Sequence, residues 1–435
     1  MQDSTRLVSA ALLPGMIFVP LALATPGVAQ VIPDGTLGNE GSVVTPLDAN
    51  TDRIDGGALR DSLLFHSFEG FNIPDGQGVY FANPAFVHTI FSRVTGADPS
   101  LLFGTLGVLG DADLMFINPN GIVFGPNAEL DLNGAFTATT ATGVVFPGGE
   151  AFSALEPEAA PLLTVNVTAP VGVVFEGETP AAIVNQGNLV VEAGHRLTFI
   201  GEAVASIGHL SAPGGQIRIA AVNEIDQVFI DTSGQILLGP SASSFPSDRE
   251  GSTGTLSLTN WVDASALNAD NIPADIAPGT TVITGRLDTS DDQGTGGEIQ
   301  VLGDNIGLFG ASVTASGATG GGLIRVGGDY QGQGNLSNAQ ITYIDENTFL
   351  AADAIEAGQG GQIIVWSDVT TRILGAISTQ GGGESGNGGF VETSSLGFLE
   401  IAQNPDISAP NGMGGSVGCE LNKRGIRHQD LINPV

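Results

Sequence analysis

The chain has 435 residues, 42% hydrophobic and 14% charged, so it holds enough apolar sequence for a continuous core and is excluded from the disordered class. Its 46 acidic residues against 13 basic ones give a net charge of −33, which excludes nucleic acid and anionic membrane surfaces as partners because both would repel it. The 64 glycines favour short strands and tight turns over helices, and the single cysteine excludes an intramolecular disulfide.

Residues 1–29 read as a secretory signal peptide. Arg6 supplies a basic start, residues 7 to 23 are mostly apolar, and Gly27 and Ala29 offer small side chains before a cut, placed after Ala29. Pro14 and Pro20 interrupt the apolar run, which argues against a membrane anchor. A leader of this kind predicts Sec-dependent export to the periplasm. A chain with no disulfide stays threadable on the way, and a high net charge keeps it soluble while unfolded.

Between residues 80 and 130 the text is most specific. Asn83-Pro84-Ala85-Phe86 is followed by Arg93-Val94-Thr95-Gly96-Ala97-Asp98-Pro99-Ser100 and then by Ile117-Asn118-Pro119-Asn120-Gly121-Ile122. By local chemistry the last of these is a β-turn: proline presets φ, asparagine caps nearby backbone, and glycine tolerates positive φ at the exit. In their order and spacing the three elements resemble the secretion domain of filamentous haemagglutinins and related exoproteins. The first motif departs from the family form, with Ala85 and Phe86 where the family has asparagine and leucine, and the cysteine pair of some members is absent. The resemblance implies a two-partner-secreted exoprotein, delivered to the cell surface or medium through an outer-membrane barrel transporter and acting in adhesion on a surface glycan or host-cell receptor. It marks Asn83, Pro84, Asn118, Pro119, Asn120, Gly121 and Ile122 as the secretion motif. Whether these touch the transporter or fix a corner of the fold stays open, and the turn chemistry favours the corner.

Catalytic signatures are lacking. His66, His88, His195 and His209 sit in no motif with a nucleophile and an orienting group, and His66, between Phe65 and Ser67, reads as a half-buried strand residue. No zinc spacing occurs, so no metal or cofactor is expected. The enzyme alternative, a polysaccharide lyase or hydrolase, needs acids clustered with a basic partner along one face.

From residue 214 a glycine pair recurs before a short alternating strand. Gly214-Gly215 precedes Ile217 and Ile219, Gly296-Gly297 precedes Ile299 and Val301, Gly321-Gly322 precedes Ile324 and Val326, Gly360-Gly361 precedes Ile363 and Val365, and Gly388-Gly389 precedes Val391 and Thr393. The later steps are about 25 to 40 residues, a period that marks stacked supersecondary units. Ile306 with Leu308, and Val313 with Ala315, add two more strands per unit. Three short strands per coil predict an all-β chain folded as a right-handed parallel β-helix, a solenoid with an N-terminal secretion-domain cap and a rod on the order of 75 Å at about 4.8 Å per coil. The aliphatic pairs should point into one column, with Gln300 and Arg325 facing out. The segment around Gly327-Gly328-Asp329 predicts an inserted loop or strand pair, and Gly381 to Gly389 a loop out of a corner. Asp288, Asp291 and Asp292 read as a solvated loop rather than a calcium site. Late repeats such as Gly388-Gly389-Phe390-Val391-Glu392 resemble the shaft of haemagglutinin-like proteins of cyanobacteria. The expected division is signal peptide 1–29, secretion domain 30–150, shaft repeats 151–415 and an atypical tail 416–435 that holds Cys419, Lys423, Arg424 and Arg427.

Overall fold

The computed structural model describes residues 30–147, 149–157, 172–176, 181–223, 227–230, 236–238 and 276–419. The signal peptide and most of the expected tail lie outside these residues.

Alternating aliphatic residues produce the predicted strands, and stacking them produces a parallel β-helix of three faces. The first sheet has 13 strands. Two of them, Gln30–Pro33 and Ala58–Arg60, pair antiparallel with Leu63–Asn72 and cap the N-terminal end. The other eleven, from Leu63–Asn72 to Ser416–Gly418, are parallel. A second sheet of nine strands runs beside it, and the third face is split into a five-stranded and a six-stranded sheet. Register is kept from coil to coil, so Ile299 lies over Ile324 and Ile324 over Ile363, with Val301, Val326 and Val365 alongside. All six side chains are fully buried in one core column, as the alternation predicts. Ile306 and Leu308 reach that column from the second sheet, and Val313 and Ala315 from the third face.

The glycine pairs have a steric cause. A Cβ built on Gly297 would overlap the carbonyl oxygen of Gly215, and Gly322, Gly361, Gly389 and Gly415 each meet the preceding member of the series in the same way. That carbonyl also accepts the next ladder hydrogen bond, from Glu298 N to Gly215 O at 2.9 Å and from Leu323 N to Gly297 O at 3.0 Å. Only a residue without a side chain lets the coils close to ladder distance at this corner.

Four expectations need correction. The eleven parallel strands of the first sheet make a described rod of about 50 Å where about 75 Å was expected for the whole chain, in part because a described excursion such as residues 327–340 adds no coil. Among the described residues the long excursions leave between the first and second sheets, after Phe136–Thr139, Gln216–Ala221 and Leu323–Val326. The first two supply one five-stranded antiparallel sheet, Ala151–Ser153, Gly143–Val145, Gly172–Val174, Gln227–Ile230 and Ile236–Leu238 in spatial order. Side chains of the first two strands and their flanks, Val144, Phe146 and Phe152, join the apolar cluster on the outer side of the first sheet with Phe65, Phe91, Met115 and Ile117. Hence an outward side chain is not always a wet one. Gln300 points away from the column yet is 0% exposed, and Arg325 is partly buried between Glu298 and Asp329.

The third excursion is the predicted inserted loop, folded around a 3-10 turn at Tyr330–Gly332. Gly381 to Gly389 does not leave its corner: Gly382 N bonds Gly358 O at 3.0 Å and Gly388 N bonds Met413 O at 2.9 Å, so it is packed between neighbouring turns. The expected tail begins inside the last coil, since Ser416–Gly418 pairs in register with Phe390–Glu392.

Candidate functional site

Asn118, Pro119, Asn120 and Gly121 turn the chain from the strand Asp113–Ile117 on the first sheet to Ile122–Phe124 on the second. Gly121 N bonds Asn118 O at 3.2 Å to close the β-turn, and Gly121 takes φ +114, a conformation open to glycine. Asn118 is 0% exposed. Its Oδ1 accepts from Asn120 N at 2.9 Å, while its Nδ2 donates to Asp98 O at 3.1 Å and Ser100 Oγ at 3.0 Å. Asn120 Nδ2 donates to Gly96 O at 2.7 Å. Two of the three sequence elements are therefore bonded to each other: residues 118–121 stack directly on the turn of residues 95–99 in the coil before. Ile122 is fully buried and pairs with Ser100 on one side and Ile183 on the other.

The structure puts Asn83 and Pro84 elsewhere. They occupy the corner between the third face and the first sheet, after Gly78–Phe81 and before Thr89–Val94. Asn83 Nδ2 donates to Pro84 O at 3.1 Å, and its Oδ1 lies where a Cβ on Gly110 would come within 2.7 Å. Phe86, one of the departures from the family form, is 56% exposed. The seven motif residues thus form two separate corners rather than one patch.

Sequence reasoning quoted Arg93 but assigned it no role, and it is the most connected side chain of the region. It lies on the outer side of the first sheet, 1% exposed. Its Nε donates to Ser67 Oγ at 2.9 Å, Nη1 to Ser153 O at 2.6 Å, and Nη2 to Thr36 Oγ1 at 2.9 Å and Pro157 O at 3.1 Å. The guanidinium also stacks 4.2 Å from the Phe152 ring centroid. Burial pulls its pKa down to about 10, with Asp34 pulling the other way, so the group stays charged at neutral pH. Burial also raises the Asp34 carboxyl, but hydrogen bonds from Ser67, Thr36 and Thr95 outweigh it and hold the group below its ordinary value. Arg93 and Asp34 together tie the N-terminal segment, two coils and the outer antiparallel sheet into one knot. The available signal was a lone arginine inside the apolar strand Ile90-Phe91-Ser92-Arg93-Val94.

His66 is not half-buried but fully buried, at the N-terminal end of the core column, with Nδ1 3.0 Å from Ser42 Oγ. Burial lowers its pKa to about 4, against a smaller opposing effect of Asp55. The unfolded chain therefore takes up this proton first on acidification. The stability His66 contributes is complete above about pH 6.5 and is lost as pH falls towards 4, a loss of about 3 kcal/mol. Urea melts at about pH 7 and pH 4.5 should show wild type losing roughly 2 to 3 kcal/mol more than His66→Gln; equal losses would contradict the burial of this imidazole. His88 is exposed, and His195 and His209 are partly exposed.

The acidic loop is held by its own carboxylates. Asp288 Oδ1 accepts from Ser290 N at 3.0 Å and Thr314 Oγ1 at 2.8 Å, and Asp291 Oδ1 accepts from Gln293 N and Gly294 N at 2.8 and 2.9 Å. Among the described residues no three metal-ligating side chains come together.

A family model described as the TPS secretion domain, where TPS stands for two-partner secretion, matches residues 29–272, more than half of the chain. Among solved structures, the chain is similar to the crystal structure of the HMW1 secretion domain from Haemophilus influenzae, at 22% identity and a TM-score of 0.48, over 90% of this chain and 100% of that one. It is also similar to the crystal structure of a filamentous hemagglutinin secretion domain, at 15% identity and a TM-score of 0.40, over 90% and 99% of the two chains. No curated protein matches the chain.

Proposed function

The chain belongs to the TPS secretion domain family, the mark of an exoprotein exported across the outer membrane by two-partner secretion, and from that premise we propose that it leaves through an outer-membrane barrel transporter and acts outside the cell in adhesion or surface attachment. The observation that carries the secretion role is the bonded stack of residues 118–121 on residues 95–99, within the family-matched region. It completes the corner on which each following coil templates. In this reading Asn118, Pro119, Asn120, Gly121 and Ile122 act by letting the coil fold as it emerges, and Asn83 and Pro84 set the neighbouring corner. The signal peptide 1–29 delivers the chain to the periplasm by the Sec route, residues 30–150 serve secretion, and residues 151–415 form the shaft that carries the attachment function. The shaft reading is supported by residues 276–419, beyond the family match, which continue as regular coils.

Among the described residues the enzyme alternative can point to Glu298 and Asp329, which flank Arg325 at 2.5 and 3.2 Å. There the guanidinium is taken up by the two carboxylates, which favours attachment over catalysis.

Asn118→Ala should leave the Asp98 carbonyl and Ser100 hydroxyl without their donor and remove the acceptor for Asn120 N, at about 2 to 3 kcal/mol. Gly121→Val forces a β-branched residue into φ +114, at roughly 1 to 3 kcal/mol. Both variants should be synthesised normally, fall several-fold in the medium and accumulate or be degraded in the periplasm. Immunoblots of the two fractions decide it, and unchanged export of both would remove the motif from the mechanism.

A further inference from the structure

A groove of about 1060 Å³ follows the corner between the third face and the first sheet, from Asp113 and Ala135 through Arg196 to Gln362. It exists because the glycine ladder leaves that corner without side chains. Its wall is the opening row of the first sheet, where Arg196, Gln216, Glu298, Leu323 and Gln362 lie side by side in register, one per coil. Thr295, Thr319 and Gln359 stand exposed along the groove. The next coil places Phe390 in the same row, and Tyr330, 48% exposed, packs on it with ring centroids 5.8 Å apart.

The chemistry narrows the occupant. The floor offers no strand edge: Gly297 N, Gly322 N and Gly361 N are bonded to Thr289 O, Ala315 O and Ala352 O, and the glycine carbonyls are used by the next coil. An extended peptide would find nothing to pair with. Glu298 is paired with Arg325, and the chain carries net charge −33, so a polyanion would be repelled. The uncharged polar side chains along the groove are Gln216, whose Oε1 accepts from Arg196 Nε at 3.3 Å, with Gln359, Gln362, Thr295 and Thr319, spread over coils about 4.8 Å apart, and the aromatic pair stands one coil beyond. Vicinal hydroxyls bond to carboxamides, and the apolar face of a sugar ring packs on an aromatic ring. We propose that this groove binds a neutral, unbranched hexose polymer lengthwise, about one sugar unit per coil. The proposal rests on the exoprotein reading only in placing the groove outside the cell.

The test is native electrophoresis of the full secreted chain through gels containing soluble glucomannan, pullulan or mixed-linkage β-glucan, with alginate as the anionic polymer. At least one neutral polymer should retard the wild type and alginate should not. The double variant Gln216→Ala/Gln362→Ala should weaken retardation tenfold or more, and Tyr330→Ala should weaken it several-fold, with thermal melts and export unchanged. Absence of retardation by all three neutral polymers, retardation by alginate alone, or retardation indifferent to these variants would overturn the groove assignment. A chain exported normally but not retarded sinks the groove alone, whereas a periplasmic chain that is retarded but never exported sinks the exoprotein reading alone.

Discussion

Ile324→Asp should break the solenoid locally and cost about 5 kcal/mol or more. Ile324 is 0% exposed between Ile299 and Ile363, so the substitution removes an aliphatic side chain from a closed column and puts a carboxylate there with no cation or donor. Loss of the buried aliphatic alone costs roughly 2 to 5 kcal/mol. Burying an unpaired polar group adds several more, or forces the acid to stay protonated. Total stability is on the order of 5 to 15 kcal/mol, so a variant this damaged should show early proteolysis between Glu298–Leu302 and Gln362–Val365. The neighbouring Arg325→Gln is the control. It gives up the partly buried pairs with Glu298 and Asp329 on the outer side of the sheet, at about 1 to 2 kcal/mol, still well below the cost at Ile324. Thermal melts and limited proteolysis of the two variants separate inward from outward, and equal damage would contradict the column.

Arg93→Leu should cost about 3 to 5 kcal/mol, as removal of one side of a buried, charge-assisted network does. The substitution strands the carbonyls of Ser153 and Pro157 and the hydroxyls of Thr36 and Ser67, and it deprives Asp34 of a nearby cation. Arg93→Lys keeps the charge but cannot reach four acceptors from one ammonium, and should recover only part of the loss. Hydrogen exchange should accelerate first at Gly143–Val145 and Ala151–Ser153, the outer strands the guanidinium holds, and only later in the coil strands. If the coils opened first or together with the outer sheet, Arg93 would not be the tie between them.

These two residues also show what was legible beforehand. The column was readable because Ile299, Val301 and their counterparts repeat two apart within a strand and about one coil apart along the chain, and no other packing satisfies both periods. The glycine pairs were readable as corners, though not as a ladder, since their close approach depends on the coil below. The turn at Asn118 to Gly121 was readable from its residue types, whereas its bonds to Gly96 and Asp98 were not, because carbonyl partners leave no mark in sequence. The outer sheet escaped notice altogether. Val144, Phe152 and Val173 sit in three-residue strands like those of the solenoid, and they are set apart by antiparallel pairing, a short hairpin between Gly143–Val145 and Ala151–Ser153 extended by the more distant Gly172–Val174. Gln300 faces out as the alternation requires, yet it is buried, because facing away from the column does not by itself expose a side chain.

Export through a dedicated outer-membrane partner is the proposal on which the rest of this reading depends. Its most direct test is to express the full chain in a host with an outer membrane, with and without its cognate outer-membrane barrel transporter, and to quantify it in the medium and the periplasm. Folded, protease-resistant protein should appear in the medium only when the transporter is present, and should be retained when it is absent. Equal release without the transporter, or retention of wild-type chain in its presence, would contradict it.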